Sequence, residues 1–152
     1  MDLILWRHAE AEDGVLDLQR KLTAKGVRQA RYSAAWLKQR LPERFTLLAS
    51  DALRSQQTAQ ALSPEFVIRP GINPGCSVAS FLSACDWGKT EQTLVAVGHQ
   101  PTLGRVAASL LAGSEQDWSV KKSAVWWLSC RERLGERQIL LKAVLWPDEQ
   151  EP

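Results

Sequence analysis

Two histidines are present in the chain, and each directly follows an apolar run: Leu3-Ile4-Leu5-Trp6-Arg7-His8 and Leu94-Val95-Ala96-Val97-Gly98-His99. Short apolar runs of this composition predict strands, so both rings stand at strand carboxyl ends. In open α/β sheets that rim is where ligands bind, which makes the two imidazoles candidates for one shared site. Arg54 follows a third such run, Thr46–Ser50, and falls in the first turn of the helix expected next. Arg7, Arg54, His8 and His99, with the positive ends of helices starting near Ala52 and Pro101, describe an anion hole. A guanidinium fork matches phosphoryl oxygens with paired, charge-assisted hydrogen bonds, so phosphate is the natural occupant. The chain has no Gly-rich loop with a Walker lysine. The expected chemistry is therefore attack on phosphorus by a side chain or water, not nucleotide cradling.

These residues carry a resemblance. Arg7-His8-Ala9-Glu10 resembles the Arg-His-Gly box of the histidine phosphatase superfamily, and Ser50 to Ala59 resembles its Ser-x-x-x-Arg-x-x-Gln-Thr-Ala segment. Gly98-His99 matches its second histidine, in the same order and spacing. The short chain, the Arg20-Lys21-Leu22-Thr23 stretch and the Gly98-His99-Gln100-Pro101 turn are most similar to SixA-type phosphohistidine phosphatases. The resemblance implies a phosphoglycerate-mutase-like fold and a two-step reaction. In that reaction His8 is the nucleophile, Arg7, Arg54 and His99 hold the phosphoryl oxygens, Arg20 contacts substrate, and neither metal nor other cofactor takes part. One ring nitrogen of His8 is expected to be held by a backbone carbonyl, and nearby cations to favour its neutral form. This sequence departs from the pattern at Ala9, where glycine is usual, and at Lys21, where proline is common.

A further departure concerns proton supply. Between Arg54 and His99 no acidic residue stands in a context suited to a general acid; Glu65, Asp86 and Glu91 fit poorly, while Glu10 and Glu12 remain alternatives. Protonating an alkoxide leaving group is worth about 10²–10⁴-fold, whereas imidazole leaves readily once protonated. The missing acid favours an N-phosphoryl substrate over a sugar phosphate, and the resemblance to SixA-type enzymes implies that this is phosphohistidine on a protein, such as a histidine phosphotransfer domain. The alternatives are a small-molecule phosphomonoesterase of the same superfamily and a non-catalytic phosphate-binding module.

The elements that must position these groups follow from periodicity. Leu3–Trp6, Phe45–Ala49, Phe66–Ile68 and Thr93–Val97 read as strands alternating with helices, and Ala124–Cys130 with Gln138–Trp146 as a late hairpin turning near Arg133–Glu136. Helices are expected after a Thr23 N-cap, through Leu41 and stopping at Pro42; from Asp51 to Leu62; from Ser77 to a stop at Gly88; and from Pro101 to Gly113. The prediction is a three-layer α/β/α sandwich with a mostly parallel, mixed sheet, forming a single domain over residues 1–152. Trp126 and Trp127 are expected to face opposite sides of that sheet. Net charge of +2 is too small to favour nucleic acid or membrane partners. Widely spaced Cys76, Cys85 and Cys130 suggest reduced thiols in the cytoplasm, and a monomer is expected. Lys121-Lys122 reads either as a solvated pair or as rim charge for an acidic partner. The tail 147–152 is expected to be acidic and frayed.

Overall fold

The computed structural model describes residues 1–147, and the expectation for the tail beyond them lies outside the described residues. Six strands form one sheet: β1 Asp2–Arg7, β2 Thr46–Ala49, β3 Val67–Ile68, β4 Thr93–Gly98, β5 Val125–Arg133 and β6 Glu136–Leu145. Their order is β3-β2-β4-β1-β5-β6. The first four run parallel, while β5 pairs antiparallel with β1 and with β6. Four helices, α1 Ala24–Lys38, α2 Leu53–Leu62, α3 Val78–Ala84 and α4 Thr102–Ala112, connect them. The sheet is thus parallel where helical crossovers join its strands and antiparallel where the terminal hairpin needs only a turn.

Side-chain alternation along the strands splits the core into two layers. Leu3, Leu5, Leu48, Leu94, Ala96 and Leu128 pack with Phe81 of α3 and with Leu103, Val106 and Ala107 of α4. Ile4, Trp6, Leu47, Ala49, Val95 and Val97 face the other way, onto Ala34 and Leu37 of α1 and Ala59 and Leu62 of α2. Every residue of β1 between Leu3 and Trp6 is fully buried, as a central strand with helices on both faces requires. Trp126 packs against the first layer and Trp127 belongs to the second.

Two helix ends differ from the sequence reading. α1 stops at Lys38, short of Leu41; the amides of Arg40 and Leu41 both bond the Leu37 carbonyl, closing a tight turn. A residue that precedes proline is disfavoured in helical geometry, which stops the helix before Leu41, although Leu41 still packs on the core. α3 ends at Ala84, not at Gly88. Asp86 takes the left-handed conformation at φ 51°, its amide bonds Ser83 and that of Trp87 bonds Leu82, a Schellman closure in which aspartate occupies the usual glycine position. The Thr23 hydroxyl caps α1 by accepting from the Gly26 amide, and Gly113 closes α4 at φ 80°.

Candidate active site

Strand ends and one helix start bring four of the five expected site residues onto one rim. β1 ends in Arg7 and leads directly to His8; β4, its parallel neighbour, ends in Gly98 and leads to His99. The His8 backbone is tied on both sides, its amide to the Gly98 carbonyl (3.1 Å) and its carbonyl to the Ser123 amide (3.2 Å). The two imidazole centroids lie 5.1 Å apart at 48°. The chain leaving His8 is clamped by the helices beside it. The Ala9 amide donates to Thr58 Oγ1 of α2 at 3.0 Å, and Thr58 in turn donates to the Arg54 carbonyl at 2.8 Å. α1 meets the Glu10 carbonyl at Gly26, where a Cβ would collide with that backbone. Ala9, in place of the usual glycine, buries its methyl against Leu22 and Ala30.

The bond that sets the chemistry of His8 is local. Its Nδ1 lies 2.7 Å from its neighbour's carbonyl, Ala9 O. A carbonyl only accepts, so Nδ1 carries the hydrogen and the neutral ring presents its lone pair at Nε2. His8 is 8% exposed. Burial, reinforced by Arg54, Arg7 and Arg20 and opposed by the Ala9 hydrogen bond, brings its pKa down to about 4. The cations expected to favour the neutral form do so, but desolvation is the larger cause. A pH profile checks this: a step that needs neutral His8 should lose rate as pH falls through about 4, where half of the rings are protonated. An acid limb centred near 6.5 in kcat/KM, once the substrate's own ionisation is subtracted, would contradict it.

His99 Nε2 lies 2.8 Å from Ser50 Oγ and 3.1 Å from Ser55 Oγ. Burial, then His8 and Arg54, lower its pKa to about 2, so this ring is neutral too. Ser50 Oγ already accepts from the Ala52 amide at 3.2 Å, so its hydroxyl hydrogen is available to His99; we assign the tautomer in which Nε2 accepts it and Nδ1 carries the hydrogen. Arg7 donates from Nη1 to the Val120 carbonyl at 3.0 Å. Arg54, only 4% exposed, donates from Nη1 to the Asp17 carbonyl at 2.7 Å and from Nη2 to the Asp17 carboxylate at 3.1 Å. Among the described residues, the buried side-chain nitrogens and oxygens without a hydrogen-bond partner are Arg7 Nε, Arg54 Nε and His99 Nδ1. Orphaned buried donors are costly, and three on one rim form a cradle for an acceptor-rich anion such as a phosphoryl group.

Arg20 stands one step back from this cradle. It bonds the Glu12 carbonyl through Nε at 2.7 Å and the Asp17 carboxylate through Nη1 at 3.1 Å. Sequence reasoning missed Asp17, which joins the two arginines from a short 3₁₀ turn at Asp17–Gln19; the only hint was an aspartate three residues before Arg20. Burial raises the Asp17 carboxyl, but hydrogen bonds from Arg54 and Arg20 outweigh it and hold the group below the usual carboxylate range. Sequence reasoning placed Ser50 in the motif without a role and missed Ser55; both hydroxyls contact His99 Nε2. Glu10 is turned away into an interaction with Thr23 Oγ1 at 2.8 Å and Lys122 at 3.6 Å.

A doubly covered α/β sheet with paired neutral histidines and arginines at its carboxyl rim defines a phosphoryl-handling class of enzyme. The model of the histidine phosphatase superfamily (branch 1) matches residues 3–77. An uncharacterized protein of Mycobacterium tuberculosis is 31% identical over 75% of each chain. This chain belongs to the histidine phosphatase superfamily and is a phosphatase of that superfamily. It is 28% identical to the phosphohistidine phosphatase SixA of Escherichia coli, over 74% of this chain and 76% of that one. A putative SixA from Nakamurella multipartitia superposes with a TM-score of 0.80 at 27% identity, covering 96% and 95% of the two chains. Phosphatases of small molecules share the fold at 17 and 18% identity.

Proposed function

We propose that this phosphatase hydrolyses phosphohistidine on a protein, as in histidine phosphotransfer domains, through a phosphoryl intermediate on His8. In the first step His8 Nε2 attacks phosphorus in line while the P–N bond to the substrate ring breaks; that ring, already protonated by solvent on its other nitrogen, keeps the bonding pair and leaves as neutral imidazole. Arg7, Arg54 and His99 bind the equatorial oxygens, where transition-state charge is spread, so their contribution is electrostatic. Water then attacks the phosphorus of phospho-His8 and releases inorganic phosphate.

The observation that carries this reading is the state of Asp17. The carboxylate that meets the phosphate-binding arginine is ionised and salt-bridged, so it has no proton to give an alkoxide at neutral pH. An N-phosphoryl group has little need of one, which favours it over a sugar phosphate. The likeness to SixA proteins supports the same substrate class. The free cysteines fit a reducing compartment, and we place the enzyme in the cytoplasm. No helix among the described residues is long and apolar enough to cross a membrane.

Leaving-group chemistry tests the proposal. Phosphohistidine protein, phosphoramidate and activated aryl phosphates should be cleaved well and alkyl phosphates poorly, with phosphoenzyme formation slowing steeply as aryl leaving-group pKa rises. Efficient alkyl phosphate hydrolysis, with a flat aryl series and no burst, would assign the enzyme to small-molecule esters instead.

A further inference from the structure

A second, cationic cavity of about 220 Å³ adjoins the catalytic rim, lined by Arg7, Gln29, Lys121, Lys122, Trp146 and Pro147. We propose that it is a docking subsite for carboxylate side chains that flank the phosphorylated residue on an acidic protein substrate. The inference rests on the protein-substrate reading above and deepens it.

The cavity is built from donors. Arg7 and both lysines carry positive charge, and the buried Gln29 is fixed by accepting from the Glu10 amide at 2.9 Å, which directs its NH₂ group away from that bond. Lys121 lies 5.8 Å from the centre of the Trp146 ring. The nearby carboxylate Glu10 reaches Lys122 only at 3.6 Å and is engaged by Thr23 as well, so it neutralises the cluster in part.

The backbone that carries the lysines is also held in place. Ser123, next in sequence, is fully buried in the left-handed region at φ 59°, a conformation that costs a serine energy and persists only where the surroundings impose it. Its hydroxyl donates to the Gln29 carbonyl (3.0 Å) and accepts from Trp6 Nε1 (3.3 Å), its carbonyl accepts from Ser33 Oγ (2.6 Å), and its amide bonds the His8 carbonyl. On the other side Val120 is buried and holds Arg7 through its carbonyl. Lys121 and Lys122 therefore stand exposed between two anchored residues, tied to the nucleophile's own backbone. Charge presented on a rigid loop loses little entropy on binding and steers an oppositely charged partner.

Kinetics on two substrates separate docking from catalysis. For Lys121→Ala/Lys122→Ala, kcat/KM on a histidine-phosphorylated phosphotransfer domain should fall about tenfold, mainly through KM, and the charge-reversed Lys121→Glu/Lys122→Glu should fall further. Hydrolysis of phosphoramidate, which has no flanking carboxylates, should stay at the wild-type rate, and that unchanged rate also reports an intact fold. Added salt should slow the wild type on the protein substrate more than the variant. Equal losses on both substrates, or no loss on the protein, would overturn the subsite while leaving the phosphohistidine reading standing. Wild-type enzyme inert toward phosphohistidine proteins would remove both.

Discussion

Replacing His8 by alanine is expected to lower turnover by at least about 10⁴-fold and to eliminate the phosphoenzyme, in keeping with the loss of other enzymic nucleophiles. The ring's Nε2 is the atom that bonds phosphorus in the proposed reaction, and no neighbour can stand in for it. His99 has its Nε2 committed to Ser50 and Ser55, so it cannot offer that nitrogen to phosphorus without giving up both contacts. The fold should survive, because the structural bonds at this position are those of the His8 backbone to Gly98 and Ser123. Quenching with labelled substrate should give an acid-labile, base-stable adduct in wild type and none in the variant, with matching circular dichroism. Label on another residue, or undiminished turnover, would refute His8 as the nucleophile.

Arg54→Lys should cost about 10²-fold or more in kcat despite keeping the charge, on the scale of removing one transition-state donor. Arg54 does two things at once: its Nη groups hold Asp17 through two bonds, and its Nε, without a protein partner, remains to donate to a phosphoryl oxygen. A lysine offers a single ammonium on a flexible stem. It can pair with Asp17 or with phosphate but cannot reproduce the planar fork that serves both. Vanadate affinity should fall in parallel, since an oxyanion in five-coordinate geometry draws on the same donors. Near-normal kcat with unchanged vanadate inhibition would reduce Arg54 to a structural partner of Asp17.

Much of this molecule is legible from residue order, because strand-end chemistry and helix periodicity are local. Arg7-His8 and Gly98-His99 each close an apolar run, and such runs in an alternating α/β pattern become adjacent parallel strands whose ends share one rim. Thr23, Gly113 and the Arg133–Glu136 turn announced their elements through capping and turn preferences, which act within a few residues. Where the reading went astray the cause was also local but subtler. Gly88 was the conspicuous stop for α3, yet Asp86 took the left-handed position two residues earlier, because a hydrogen-bonded closure can hold a short polar side chain there.

What sequence order could not supply were the relations between distant segments. Asp17 meets Arg54 across 37 positions, and Ser123 meets Gln29 across 94. Neither aspartate nor serine carries a mark that says which arginine or carbonyl it will find, since a hydrogen bond of this kind depends on how helices and loops settle on the sheet. The protonation state of His8 belongs to the same class. Its type and place could be read from order alone, but its drop to about 4 arises mainly from desolvation, which exists only once the chain has folded around the ring. The gathering of Arg7, His8 and His99 at one rim was thus written in the order of residues, while the ionisation of these groups and the lysine-lined cavity beside them were decided by packing.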